Sequence, residues 1–269
     1  MFKDITLGQY FPGNSVIHRL DPRTKLAAMI IYIAMVFSVK TMALYAAVAV
    51  FLVALLLISR IPVSYVFKAV KPMRWLLVFM FIINMFLIKS GRVIFSWKFI
   101  TLTVDGIEQA FFIVIRLVLL VCGTSLLTLT TTPISLTDGL ERIMSPLAKI
   151  KFPAHELAMM MMIALRFIPT LLEEAERIMK AQAARGADFE SGNIFKRAKN
   201  MIPILIPLFI SAFRRADELA MAMESRCYTG GEGRTRMKVL KLAPRDLIAF
   251  LIAAAMLAGI ILAERLVFA

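Results

Sequence analysis

From Leu26 to Ile58 the chain is almost wholly apolar, and the run is broken only by Ser38-Val39-Lys40-Thr41. One continuous helix over it would reach ~50 Å, well beyond a hydrocarbon core of ~30 Å. Two short spans that turn at Lys40 fit instead. Arg19, Arg23 and Lys25 precede this hairpin, while Arg60, Lys68, Lys71 and Arg74 follow it, which puts both flanks on the cytoplasmic side. A sequence able to do this is an integral membrane protein. Its composition agrees, with 60% hydrophobic residues against roughly 45–50% in soluble domains and a mean hydropathy of +0.79.

Further spans are expected at about Trp75–Ile88, Ile107–Leu129 and Asp246–Ala263, giving five in all with the N-terminus inside. Between the third and fourth, the alternation in F-S-W-K-F-I-T-L-T-V suggests a short extended segment. Arg116 falls within the fourth span, where a charge is costly and faces a protein interior or a polar neighbour. It reads either as a packing anchor in the bundle or as a substrate contact. The first 25 residues are polar and contain Pro12 and Pro22, so no cleavable signal is expected and the first span directs insertion.

The formal charge of +14 belongs to the loops of such a chain, since no RNA- or DNA-binding signature accompanies it. Between Thr132 and Arg245 there are eighteen basic and twelve acidic residues, a bias that assigns this long stretch to the cytoplasm. Thr132-Pro133 or Asp138 can begin a short helix that stops before Pro146. A long helix follows over about Ala154–Ala184, with Pro169 permitting a bend. It is apolar nearly all round in its first half and amphipathic in its second. The next helix repeats the design, from the apolar stretch Pro203–Leu208 through R-R-A-D-E-L to Arg226, and Gly230-Gly231-Glu232-Gly233 breaks the pattern.

Those two helices share a motif. Ala175–Gly186 reads A-E-R-I-M-K-A-Q-A-A-R-G, and forty-one residues later Ala216–Cys227 reads A-D-E-L-A-M-A-M-E-S-R-C. Ala175/Ala216, Glu176/Asp217, Ile178/Leu219, Ala181/Ala222 and Arg185/Arg226 match, and the small and aliphatic matches keep to one helix side. Each copy ends on a lone arginine, which suggests a two-pronged plug for two similar sockets. The bland alternative is a basic side chain favoured at a helix C-terminus by the dipole, worth a few tenths to ~1 kcal/mol.

Catalytic signatures are missing. There is no G-x-x-x-x-G-K-[ST] loop, so the chain is not expected to hydrolyse ATP, and His155-Glu156 lacks the second histidine of a zinc-protease helix. His18 and His155 have no companions for a metal site, and the Ser/Thr run Thr124–Thr132 has no histidine for a triad. Cys122 and Cys227 lie in unlike contexts and no disulfide is expected.

With these residues in view, the chain resembles the transmembrane energy-coupling (T) component of energy-coupling factor (ECF) transporters, the EcfT/CbiQ-like family that includes cobalt and nickel systems. The likeness rests on H-R-L-D-P-R-T-K at His18–Lys25, on T-T-T-P-I-S-L-T-D-G-L-E at Thr130–Glu141, and on the arginine motifs Ala184-Arg185-Gly186 and Ser225-Arg226-Cys227. The second motif departs from the family's Ala-Arg-Gly form at both flanks. The resemblance implies an all-α membrane protein in which residues 1–25 are a cytoplasmic N-terminal segment and 26–131 hold four transmembrane helices. Residues 132–243 would carry the coupling helices, and 244–269 the last transmembrane helix and tail. It implies that Arg185 and Arg226 dock into grooves on two ABC-type ATPases, which would hold the ATP and Mg while this chain binds no cofactor. It further implies a substrate-binding membrane S component for vitamin or metal uptake. Met159, Met160, Met161 and Met162 could form an adaptable apolar surface for that partner, or fill a core or meet lipid. A self-sufficient secondary transporter is the rival reading. It would need ionisable residues or broken helices at mid-membrane in two matching halves, where only Arg116 qualifies. An intramembrane enzyme would need a convergent nucleophile, base or metal set that is not written here.

Overall fold

The computed structural model describes residues 10–88, 92–97, 100–150, 152–187, 189, 193–230, 240 and 242–268. It is an all-α membrane protein with a single β-hairpin among the described residues. In order, the elements are α1 (Pro22–Ser38), α2 (Met42–Ser59), α3 (Val63–Val70), α4 (Arg74–Leu87), β1 (Val93–Trp97), β2 (Ile100–Thr103), α5 (Val104–Thr130), α6 (Pro133–Met144), α7 (Ala154–Ala184), α8 (Ile194–Glu224) and α9 (Pro244–Phe268). A 3₁₀ turn at Lys71–Met73 makes α3 and α4 nearly continuous. The strands pair antiparallel, with Trp97 opposite Ile100 and a bulge near Val93, as the alternation there predicts.

Five helical stretches among the described residues are long and apolar enough to cross a bilayer: α2, α3–α4, α5, α7 and α9. Four of these are expected spans; α7 meets the same measure of length and composition through its apolar first half, and α1, at 17 residues, is one residue shorter than α2. One correction concerns α8, which begins at Ile194 rather than near Pro203 and holds both Pro203 and Pro207 inside it.

Compactness divides the chain into two units. Of the described residues, one takes in Tyr10 to Leu140 and those from Leu240 onward; the other takes in those from Glu141 to Gly230. In the first unit, α1, α2, α5 and α9 enclose an apolar core of Met35, Val36, Val39, Tyr45, Val48, Leu52, Leu119, Leu126 and Ile260. Gly123 lets α5 and the Tyr32 ring approach, since a Cβ there would collide with the ring. The Tyr32 hydroxyl donates to Leu119 O at 2.8 Å, satisfying a buried polar group.

Polar contacts gather at two levels of this unit. At one, Asp21 caps α1 by accepting from Arg23 N (2.9 Å), with Pro22 at the first helical position. Lys25 Nζ donates to His18 O, Thr130 O and Thr131 Oγ1, so its three protons have three acceptors. Pro22 packs so close to Gly139 that a Cβ there would lie 2.8 Å away. The His18–Lys25 and Thr130–Glu141 motifs therefore meet. At the other level, Arg116 Nε donates to Tyr45 Oη (3.0 Å) and Nη2 to Val39 O (3.2 Å), with the guanidinium over the Phe37 ring. Fourteen helical residues separate Arg116 from Thr130, about 21 Å along the axis. Arg116 thus lies at the level of the α1–α2 turn and not with the Lys25 contacts.

Candidate functional site

In the second unit α7 and α8 are each 31 residues long and pack as an antiparallel pair. Their shared register is read from contacts. Gln182 reaches Pro203 O, Glu174 accepts from Ser211 Oγ (2.7 Å) and pairs with Arg215, and Ile163 shares a cavity with Met223. Residue numbers rise on one helix as they fall on the other. The cavity, about 240 Å³, is lined by Phe167 and Leu171 from α7 and by Ala212, Ala216 and Leu219 from α8. Small residues on α8 facing large ones on α7 allow the close approach. Arg215 comes forty-one positions after Glu174, so this ion pair joins residues equivalent under the sequence repeat and marks an approximate two-fold axis.

Both helices end in the same hydrogen-bonded device. On α7, Ala187 N donates to Gln182 O and Gly186 N to Ala183 O, each 3.0 Å, with Gly186 at φ 88°. On α8, Tyr228 N donates to Met223 O (3.0 Å) and Cys227 N to Glu224 O (2.9 Å), with Cys227 at φ 57°. Each is a Schellman motif, and every donor and acceptor of the second lies forty-one residues after its counterpart. Arg185 and Arg226 occupy the same position in each, immediately before the left-handed residue. Ala184, Arg185, Gly186, Ser225, Arg226 and Cys227 are all exposed. The departure from the family pattern at Cys227 is thus one of residue type and not of backbone shape.

Antiparallel packing places the two arginines at opposite ends of the hairpin. By helical rise they stand on the order of 30–40 Å apart. A guanidinium held at a fixed helix end can fork onto carboxylate or carbonyl oxygen while its stem covers apolar surface. The arrangement therefore presents two like guanidinium groups at two separated places. Sequence reading found the arginines and their spacing but not their separation, because only the packing of α7 on α8 sets it.

The methionines lie on the first half of α7, with Met160 and Met161 exposed and Met159 and Met162 half-buried. His155 Nδ1 pairs with Glu141 Oε1 at 2.9 Å, which ties the start of α7 to α6. Sequence reasoning missed Asp246 and Glu264. Asp246 accepts from Asp21 N (2.7 Å) and Ala243 N (2.8 Å), while Glu264 Oε1 accepts from Lys40 N (2.7 Å) and Thr41 N (3.2 Å). Apart from Ala243, their partners lie more than two hundred residues away, where no local pattern reports them. Among the described residues, no three His, Cys, Asp or Glu side chains converge as a metal ion would require.

Comparison with known proteins gives a consistent result. The cobalt transport protein family (CbiQ) matches residues 13–237. An energy-coupling factor transporter transmembrane protein, EcfT, from Clostridium kluyveri is 55% identical over 254 residues, covering 94% of each chain. The EcfT of Thermosediminibacter oceani is 53% identical, covering 97% of this chain and 98% of that protein. That of Bacillus subtilis is 45% identical, covering 96% and 98%.

Proposed function

The chain belongs to the CbiQ cobalt transport protein family, whose members are membrane transporter components, and from that premise we propose that it is the energy-coupling transmembrane subunit of an ECF-type ABC importer. In this reading two ABC-type ATPase subunits bind and hydrolyse ATP with Mg, and the chain itself catalyses nothing. It passes their motion to a membrane S component that binds a vitamin or a transition-metal ion. The name of its relatives, energy-coupling factor transporter transmembrane protein, supports the assignment. The region 132–243 acts as the coupling part, in a multi-pass protein of the cytoplasmic membrane with its N-terminus inside.

The observation that carries the reading is the pair of matching helix ends. Two separated, exposed arginines in one backbone setting suit two similar subunits better than one. When ATP draws the sockets together, the ends of α7 and α8 are displaced, and their packing around Glu174–Arg215 carries the displacement along both helices. Met160 and Met161 offer the S component a surface that can repack. Arg116, bonded to Tyr45 and Val39, serves packing.

The test is to purify tagged Arg185→Ala, Arg226→Ala and double variants with their ATPases and to measure substrate uptake. Removing one partner of a buried charged contact costs ~2–5 kcal/mol, so each single variant should lose ATPase during washing and the double should lose it all. Lysine at either position should restore part of the docking, because the charge remains and the planar fork does not. A double alanine variant that held its ATPases and transported normally would overturn the proposal.

A further inference from the structure

In the first unit, α1, α2, α5 and α9 frame a second cavity of about 350 Å³ whose walls are nearly all apolar. Its floor is deeply buried, with Met35 at 1% and Leu52 at 5% exposure. Its rim is not: Ile58, Ile248 and Ile252 are each more than half exposed. Since α2, α5 and α9 are long and apolar enough to cross a bilayer, a slot with this rim opens sideways toward lipid. Its volume lies in the range of small-molecule sites.

One end of the slot is cationic. Arg245 lines it beside Lys25 and Thr24. Lys25 is occupied by its three acceptors, but the exposed Arg245 guanidinium has no hydrogen-bond or ion-pair partner among the described residues. The nearby carboxylates form no ion pair with it: Asp246 accepts from the backbone of Asp21 and Ala243, and Asp21 accepts from the Arg23 backbone and pairs with the Arg23 side chain at 3.8 Å. Exposed Arg19 and half-buried Arg23 lie on the same segment. An apolar slot with a free guanidinium at the membrane boundary matches a ligand with a hydrocarbon tail and an anionic head. Basic pockets between transmembrane helices take anionic lipid heads for this reason, and a phosphate accepts a forked guanidinium in two bonds.

We infer that this cavity holds one acyl chain of an anionic phospholipid whose phosphate is bound by Arg245. A neutral, zwitterionic lipid would fill the slot equally well but would compensate the cation less, so head-group charge separates the two. The site is distinct from the arginine ends of α7 and α8, and its occupancy does not depend on ATPase docking.

The full chain, reconstituted in vesicles of mixed phosphatidylcholine and phosphatidylglycerol, is exposed to either lipid carrying a photoreactive acyl chain, and adducts are mapped by peptide. Phosphatidylglycerol should label the segments 28–35 and 248–253 several-fold more than phosphatidylcholine. Arg245→Ala should abolish that preference and Arg245→Lys should keep most of it. Ala253→Phe, which fills the slot, should remove the adducts while labelling of α4 persists as evidence of folding. Equal labelling by both lipids, or a preference that survives Arg245→Ala, would overturn the inference. So would a photoreactive residue at position 252 that captured a protein instead of lipid.

Discussion

At Cys227 the backbone adopts φ 57°, the left-handed region that Gly186 occupies at φ 88° in the matching turn of α7. A residue with a Cβ gives up roughly 1–2 kcal/mol there, and glycine does not. Cys227→Gly should therefore stabilise the end of α8 by about 1 kcal/mol, visible as slower hydrogen exchange at Cys227 and Tyr228 N–H, with ATPase docking unchanged because Arg226 stays in place. Protection no better than in the parent would mean that the surroundings already enforce the turn. His18 provides a pH signal from the other unit. Its Nε2 donates to Phe11 O (3.1 Å), and its Nδ1 shares a hydrogen bond with Ser15 Oγ (2.7 Å). Partial burial lowers its pKa; the Phe11 bond opposes this, and nearby Lys25 adds to the lowering. A base whose folded pKa is depressed stabilises the fold fully above its ordinary value of about 6.5 and loses that contribution as pH falls through the folded value. The thermal midpoint of the parent should drop as pH falls from about 6.5 toward the folded value and level off below it, and His18→Gln, which cannot be charged, should flatten the drop. Identical acid profiles would remove His18 from the account.

The two acids of α9 clip it to α1 at both ends, which makes an element-level prediction. Asp246 holds the N–H at the start of α1, and Glu264 holds the Lys40 and Thr41 N–H groups that begin α2. The two helices therefore run parallel, with their contacts spaced about 27 Å apart over eighteen residues. Asp246→Ala leaves the Asp21 and Ala243 N–H groups without their acceptor, at a cost of ~1–3 kcal/mol. Asp246→Asn keeps one acceptor and should cost less. The order parent, asparagine, alanine in thermal midpoint, repeated for Glu264→Gln and Glu264→Ala, is the expected result; equal midpoints would show the clips to be idle. Neither clip was legible in the sequence, because each joins an acid of α9 to backbone N–H groups more than two hundred residues away. By contrast, the bounds of α7 were legible, since Pro153 and the Arg185-Gly186 stop both act locally. The start of α8 was misread for a physical reason: prolines at 203 and 207 argue against a helix interior, and packing against α7 overrides that penalty. The arginine repeat was visible as letters. Its meaning as two distant sites came only from the antiparallel pairing.

For the molecule as a whole, parallel α1 and α9 impose a constraint that charge counting alone does not. If the start of α1 faces the cytoplasm, the start of α9 at Arg245 must face it as well, and the α1–α2 turn must share the opposite side with Glu264. That order agrees with the basic flanks at Arg19, Arg23 and Arg60 through Arg74, and with the basic surplus of 132–245. Orientation can be read directly with a membrane-impermeant thiol reagent. The exposed native thiol is removed as Cys227→Gly, while buried Cys122 is left in place. Lys40→Cys should then label in intact cells, whereas Asn193→Cys, exposed ahead of α8, should label only after permeabilisation. Arg245→Cys should behave like Asn193→Cys, since α9 begins on the side where α1 begins. Position 245 labelling from outside while position 40 does too would contradict the two clips, whatever the overall orientation. The reverse pattern at all three positions would keep the clips and invert the protein, placing Arg185 and Arg226 away from any cytoplasmic ATPase and so ending the coupling proposal on topological grounds alone.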